Sequence, residues 1–255
     1  GQYGKFYRSA RYQKWYQEQI KVAEGNASLL GFKKVSELKL SVAKNIQNFV
    51  IGGGFLFTMC SGTDSFDIAL AAQNTDICES VFDGDPSHPN SDQELDYSKT
   101  FAFKDFKLIK DPMIYEYSDI DGTNLRTNRT IPKELDEFTL FDFSAKWDVV
   151  PTMLTQCHQN VIKGFMGQTT DFKKKLIKSS VLILGETKAA ETARYIHGEM
   201  GQGTWTFYGG HDPEDYQHFV GDPPTDLNLH PNSPGYRLIL NNILFPAAKK
   251  KKRKT

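Results

Sequence analysis

Apolar positions in the first third of the chain recur at two different spacings. Residues 10–28 and 36–50 show helical spacing, and three consecutive glycines end the second stretch. Residues 55–59 form an apolar run too short for a helix, which predicts a strand buried on both faces. A further helical stretch at 66–72 follows the turn that contains Cys60. Helix, buried strand, tight turn and helix in this order predict a parallel α/β sheet.

The last third of the chain shows the same kind of order. Residues 181–184 predict a second buried strand, and residues 193–208 predict a β-hairpin that turns at Gly201–Gly203. The second strand of this hairpin runs directly into Gly209, Gly210 and His211. A final helix is predicted over residues 236–244 because it follows Ser-Pro and stops before another proline.

The middle of the chain has a different composition. Residues 76–150 are rich in Asp, Asn, Pro and Ser, and short alternating aromatic runs occur at 101–106 and 138–143. We interpret this region as a β-rich insertion of loops and antiparallel strands attached to the sheet. The sequence therefore predicts one α/β domain over residues 1–248.

Composition and charge narrow the class of protein. The chain has 255 residues, 39% of them hydrophobic and 24% charged, which is typical of a globular protein. No stretch approaches the roughly 18 to 20 apolar residues of a membrane-spanning helix. Three cysteines allow at most one disulfide, so a disulfide scaffold is excluded.

The zero net charge hides a basic C-terminal tail, residues 249–255. Its six Lys and Arg residues leave 25 basic against 31 acidic residues in the body of the protein. A mildly acidic body argues against a nucleic-acid-binding surface on the fold itself. We interpret the tail as a solvated terminus. The alternatives are binding of phosphates or anionic lipid head groups and a role as a localisation signal.

Cys60 lies where the apolar strand turns into a helix. A sharp turn there exposes a side chain at the carboxyl end of the sheet, and helix N-terminal amides lower the pKa of a thiol. The backbone amides near Ser61 and Gly62 are the candidates for holding an oxyanion. The alternative is a buried structural cysteine that behaves as a small apolar residue.

His211 is the candidate partner of this thiol. It follows an apolar strand and two glycines, and the acids Asp212 and Glu214 come soon after it. A thiol, an imidazole and an orienting carboxylate at the ends of adjacent strands would form a nucleophile, base and orienter. The alternative is that the histidine only caps its loop.

These motifs resemble those of known families. The stretch Thr58–Gly62 resembles the cysteine elbow of class I glutamine amidotransferase-like domains, with Thr58 in place of their first glycine, and residues 201–212 resemble the Gly-His-Asp ending of ThuA-like proteins. Nearly the whole chain is similar to a Bacteroidetes family often named asparagine synthetase B. The matching stretches are 53–61, 205–218 and 233–242.

The resemblance implies a three-layer, flavodoxin-like sheet whose first βα units precede Gly1. It also implies an export signal ahead of this sequence and a periplasmic or cell-envelope location. The family name suggests ATP-dependent asparagine synthesis. Ser61–Ser65 is one residue and one glycine short of the Ser-Gly-Gly-x-Asp-Ser loop that cradles pyrophosphate in such enzymes.

Three functions follow from these observations. The leading one is a Cys/His hydrolase or transferase that acts on a small polar substrate. The alternatives are a non-catalytic binding or structural subunit, with protein partners in an envelope assembly, and the ATP-dependent synthetase. We expect no metal or cofactor, because the acidic stretches at 83–86 and 119–124 are typical of turns.

Overall fold

The computed structural model describes residues 4, 6–122, 136–144, 146–148, 151–167, 169–214 and 223–248. The predicted basic tail and residues 123–135 of the predicted insertion lie outside these ranges. The α-helices of the described residues are α1 (Tyr7–Ala10), α2 (Lys14–Leu29), α3 (Val35–Ile51), α4 (Ser61–Ala71), α5 (Ser80–Asp83), α6 (Pro151–Thr155) and α7 (Pro234–Leu244). None of them is long and apolar enough to cross a membrane.

The strands form one curled sheet of mixed direction. They are β1 (Phe55–Met59), β2 (Glu137–Leu140), β3 (Val161–Lys163), β4 (Phe172–Lys173), β5 (Leu182–Thr187), β6 (Thr192–Met200) and β7 (Gly203–Tyr208). Their order across the sheet is β1-β7-β6-β5-β2-β3, and β4 pairs with β6. The protein is therefore a mixed α/β structure, as predicted in its broad class.

The direction of the strands differs from the prediction of a parallel sheet. Among the described strands β1 and β7 run parallel, and the other pairings are antiparallel. The reason is the length of the connections. Gly201 and Gln202 alone join β6 to β7, and so short a link permits only an antiparallel hairpin. A parallel pair needs a longer crossover, which the chain between β1 and β7 provides.

Apolar layers cover both faces of the sheet. Along β7, Trp205 and Phe207 face a core shared with α3 and α4, whereas Tyr208 belongs to the core on the opposite face. That second core also includes Leu154 of α6 and Leu238 of α7. Helices on both faces hold the β1–β7 edge in place, and this is the edge that carries the candidate site.

The aromatic run 101–106 does not form the predicted strand; its regular pairing is limited to a single bridge between Phe103 and Ile177. Its amides are taken by a side chain instead. The buried Asp67 carboxylate of α4 accepts the backbone N–H groups of Phe101, Ala102 and Phe103 at 2.6, 2.7 and 2.8 Å. Asp67 thus fastens the helix that begins beside Cys60 to the segment packed over it.

Substitution of Asp67 with alanine should destabilise the fold. Three buried N–H donors would lose their acceptor, and we expect the free energy of unfolding to fall by at least about 2 kcal/mol. Chemical denaturation at neutral pH measures this change. Asp142→Ala is the control, because Asp142 is exposed and its loss should change stability by less than about 0.5 kcal/mol. Equal stabilities of the two variants would contradict the role of Asp67.

His197 should make stability sensitive to acid. Burial lowers its pKa from 6.5 to about 4, and Thr206 Oγ1 lies 2.9 Å from its Nδ1. The unfolded chain therefore binds a proton that the folded protein rejects between these pH values, so stability falls as the pH falls. Relative to His197→Gln, the wild-type protein should lose roughly 2 to 3 kcal/mol of unfolding free energy over this window. Parallel pH dependences of the two proteins would contradict the assignment.

Candidate active site

The candidate site lies where the parallel strands β1 and β7 end together. Met59 pairs with Tyr208 at the last position of the ladder, and the Cys60 amide donates to the Tyr208 carbonyl at 2.9 Å. Cys60 follows one strand, and the Gly209–His211 segment follows the other. Because the strands run in the same direction, both segments leave the sheet at the same edge.

Cys60 occupies a strained backbone conformation at this edge. Its φ of 57° and ψ of −138° lie outside the regions that a side chain usually permits, and α4 begins at the next residue. The Thr63 amide and hydroxyl both donate to the Cys60 carbonyl, at 3.0 and 2.6 Å. A side chain at Gly62 would collide with Thr58 Oγ1. The elbow thus accommodates a threonine two residues before the cysteine but requires the glycine two residues after it.

The structure brings the predicted thiol, imidazole and one predicted acid together. His211 Nδ1 lies 2.5 Å from Asp212 Oδ1, and the imidazole is also hydrogen-bonded to the Cys60 thiol. The Asp212 contact and then the Cys60 contact raise the pKa of His211 to about 10, against the opposing effect of burial. With Nδ1 turned to the carboxylate, Nε2 is the nitrogen left for the thiol.

The thiol is held in a setting that favours its charged form. Burial acts to raise the pKa of Cys60, which is only 5% exposed, but the pKa is nevertheless lowered. The lowering comes from His211, from the backbone amide of Thr169 at 3.5 Å from Sγ, and from the amide of Ser61. A thiolate beside a protonated imidazole is the reactive form of such a pair.

Sequence reasoning missed the segment that joins these two residues. We call residues 165–167 and 169–170 the bridging loop, with residue 168 outside the described part of the chain. A side chain at Gly167 would lie 3.0 Å from Cys60 Sγ and 3.2 Å from His211 Cδ2. The Met166 carbonyl accepts the His211 amide at 3.0 Å. The first approach depends on glycine having no side chain, and the second joins two backbone groups. Residue types alone therefore did not predict either of them.

Of the two acids predicted to orient the imidazole, the structure gives this place to Asp212. Glu214 Oε2 lies 3.8 Å from His230 Nδ1, in a different pair. Glu214 also has a φ of 67°, an uncommon backbone conformation for a residue with a side chain. Of the two predicted oxyanion donors, the Ser61 amide contacts the thiol, whereas Gly62 contributes the space described above.

The stretch that resembles an ATP pyrophosphatase loop has a different local structure. Ser61–Ser65 forms the first turn of α4 and is not an open loop. The Ser65 hydroxyl donates to the Ser61 carbonyl, and the side chains of Thr63 and Asp64 are buried. In such enzymes the loop packs its amides around pyrophosphate, whereas the corresponding residues of this protein begin a helix.

Two further polar groups surround the thiol. The buried Asp64 carboxylate accepts the Thr169 hydroxyl at 3.3 Å and the Ser65 amide at 3.0 Å. Burial, followed by the charges of Cys60 and its acidic neighbours, raises the pKa of Tyr115 far above its usual range. Tyr115 is therefore a neutral hydroxyl. Asp64 fixes the bridging loop to the first turn of α4.

One cluster of side chains in the described part of the chain could hold a metal ion. Ligand atoms of Asp76, Cys78 and Asp83 lie within 4.8 Å of one another. The Lys34 ammonium group contacts both of these carboxylates, at 3.1 and 3.5 Å, and also contacts Asp85. The Lys34 ammonium group therefore balances part of the negative charge of this cluster.

Comparisons with known protein families, with curated proteins and with solved structures find no match to this chain. The geometry at Cys60 and His211 is therefore the basis for a functional assignment.

The thiols of Cys60 and Cys78 should differ strongly in reactivity. Burial and the neighbouring Asp83 and Asp76 raise the pKa of Cys78 to about 11, whereas the pKa of Cys60 is lowered. At neutral pH we expect iodoacetamide to alkylate Cys60 at least about ten times faster than Cys78, because the thiolate fraction controls the rate. Peptide mass spectrometry of a time course measures both rates.

The same assay tests the histidine. In His211→Asn the alkylation midpoint of Cys60 should move to higher pH, because the thiolate loses its main stabilising partner. His230→Asn is the matched control and should leave the midpoint unchanged, since His230 pairs with Glu214. A Cys60 that reacts no faster than Cys78 in the wild-type protein would contradict the assigned ionisation.

Proposed function

We propose that this protein is a Cys/His hydrolase or transferase that acts on a small polar acyl compound, an amide or an ester. The observation that carries the proposal is the hydrogen-bonded series Cys60, His211 and Asp212 at a strand-to-helix elbow. The nucleophile is Cys60, the proton carrier is His211, and Asp212 orients the imidazole.

The proposed reaction begins with attack of the Cys60 thiolate on the substrate carbonyl carbon. The carbonyl π electrons move to oxygen, and the Ser61 and Thr169 amides beside Sγ are the donors placed to receive this oxyanion. When the intermediate collapses, protonated His211 gives its proton to the departing amine or alcohol. The product is a thioester on Cys60.

The thioester is then resolved by water or by another acceptor. Neutral His211 takes a proton from the attacking molecule, which adds to the thioester carbonyl. Collapse of the second intermediate releases the acid, or the transferred acyl product, and regenerates the thiolate and imidazolium. Asp212 remains ionised and keeps Nδ1 protonated throughout.

We further propose that β1, the elbow and α4 belong to a flavodoxin-like sheet of the class I amidotransferase or ThuA type. Support comes from the parallel β1–β7 pair, the helix that starts at the elbow, and the apolar layers on both faces. The sequence resemblance to a family named asparagine synthetase B also supports this fold. We propose the envelope location that the same resemblance implies. We do not extend the proposal to ATP chemistry.

A second candidate is a non-catalytic binding subunit on the same scaffold. The observation that favours it is the burial of Cys60, which leaves little of the sulfur open to a substrate. The side chains of His211 and Asp212 are about one-third exposed, at 32% each, and a substrate would reach the thiol past them. The two functions differ in whether Cys60 becomes acylated.

An activated ester separates the candidates. With p-nitrophenyl acetate we expect acetylation of Cys60, seen by intact-protein mass spectrometry, and release of nitrophenol. Cys60→Ala should abolish the adduct, and Asp212→Asn should slow its formation by at least about 100-fold, because the imidazole loses its orientation. Glu214→Gln is the matched acid control and should behave as the wild-type protein.

The same experiment has results that would contradict acyl transfer at Cys60. If folded wild-type protein alkylates rapidly at Cys60 but is never acylated there, the site lacks acyl-transfer chemistry and the binding-subunit function is favoured. Acetylation that persists in Cys60→Ala would show that the reaction occurs elsewhere.

A further inference from the structure

Arg194 is a buried cation that the proposed chemistry does not use. It is 2% exposed and lies in β6, where one step along β5 (Gly185 to Glu186) corresponds to two steps along β6 (Tyr195 to Ala193). Arg194 is thus the extra residue of a β-bulge, a device that redirects a side chain and is frequent beside active sites. The bulge thus places the Arg194 guanidinium in the interior, and its hydrogen bonds identify the segments that it holds.

The Arg194 side chain holds the start of the bridging loop. Its Nη1 donates to Asp136 Oδ1 and its Nη2 donates to the Phe165 carbonyl, both at 2.6 Å. The main-chain carbonyl of Asp136 accepts the Gly164 amide at 2.9 Å. The Arg194–Asp136 pair therefore fixes two consecutive residues, Gly164 and Phe165, where β3 ends and the bridging loop begins.

The same loop is in contact with the other side of the site. The Thr169 carbonyl accepts the Gly210 amide at 2.7 Å, and a side chain at Gly210 would overlap the Phe165 carbonyl. The main-chain carbonyl of Arg194 accepts the Gly209 amide at 2.8 Å. Arg194 thus holds both the bridging loop and the segment that leads to His211.

Stability alone is a weak explanation for this ion pair. Asp136 is fully buried, and both Arg194 Nε and Asp136 Oδ2 lack a hydrogen-bond partner among the described residues. A buried pair with unsatisfied atoms contributes little net stability compared with apolar packing. What a guanidinium offers here is geometry, because its rigid fork reaches a carboxylate and a carbonyl at once.

We propose that Arg194 is a positioning residue for Cys60. By fixing the bridging loop it keeps the Thr169 amide on the sulfur and Gly167 between the thiol and the imidazole. The catalytic consequence of this proposal rests on the proposed function, whereas the role of Arg194 in holding the loop does not.

The test compares Arg194→Met, Arg194→Lys and Asp136→Asn with Tyr195→Phe. Tyr195 is the buried neighbour of Arg194. The phenylalanine variant loses the hydroxyl bonds to the Leu154 carbonyl and to Asn242 but keeps the ring. Two quantities are measured on each folded variant. They are the pH midpoint of Cys60 alkylation and the hydrogen-exchange rate of the peptide that covers the bridging loop.

Arg194→Met should raise the alkylation midpoint by about one pH unit, a roughly tenfold loss of reactivity below the midpoint, and should speed exchange of the loop. Arg194→Lys should shift the alkylation midpoint and the loop exchange rate less than Arg194→Met, because lysine keeps the positive charge but lacks the forked guanidinium. Tyr195→Phe should lower the melting temperature without moving either quantity, which separates positioning from general destabilisation.

A folded Arg194→Met protein with wild-type midpoint and wild-type loop exchange would overturn the proposal. If that variant does not fold, Arg194→Lys and Asp136→Asn must show the same two shifts in smaller measure, and their absence overturns it equally. A wild-type Cys60 with the midpoint of an ordinary thiol would remove the proposed function instead. The exchange measurement would then still decide whether Arg194 holds the loop.

Discussion

The parallel hydrogen-bond ladder between β1 and β7 is the constraint on which the site depends. It joins strands separated by more than 140 residues of sequence and makes them end at the same edge. Cys60 and His211 are brought together because Cys60 is the first residue after β1 and His211 is the third residue after β7. The antiparallel strands and the helices on both faces support this parallel pair. The common end of β1 and β7 places the thiol beside the imidazole.

Burial and charge oppose each other at the thiol. Removing Cys60 from water favours the neutral form, yet the His211 imidazole and the Ser61 and Thr169 amides outweigh this effect. The bridging loop supplies part of that stabilisation, so the loop belongs to the site as much as the residues on the strands do. Asp67 and Arg194, neither of which touches the thiol, hold the two structures that surround it: the helix α4 and the bridging loop.

Local structure followed well from the sequence, and long-range structure followed less well. The helix predicted at 36–50 is Val35–Ile51, and the hairpin around Gly201 is present, because apolar spacing and glycine turns are local signals. The sequence predicted the β6–β7 hairpin and a parallel sheet separately. That the hairpin and the parallel β1–β7 pair belong to one mixed sheet was missed, because pairing between distant strands gives no local signal. The aromatic run at 101–106 alternates like a strand, but the distant Asp67 carboxylate takes its amides. The thiol, the imidazole and Asp212 could be proposed from residue types at strand ends. The Thr169 amide and Gly167 could not, because nearly every residue carries such an amide and nothing in the sequence shows which glycine lies beside a distant thiol.

The most direct test of this account is the protonation state of the His211 ring, followed by ¹⁵N NMR in the wild-type protein and in Cys60→Ser. The account predicts an imidazolium at neutral pH in the wild-type protein, with a pKa near the value of about 10 that Asp212 and the thiolate impose. In Cys60→Ser this pKa should fall, because the negative partner is gone. A ring that is already neutral at pH 7 in the wild-type protein, or that titrates identically in both proteins, would contradict a thiolate–imidazolium pair.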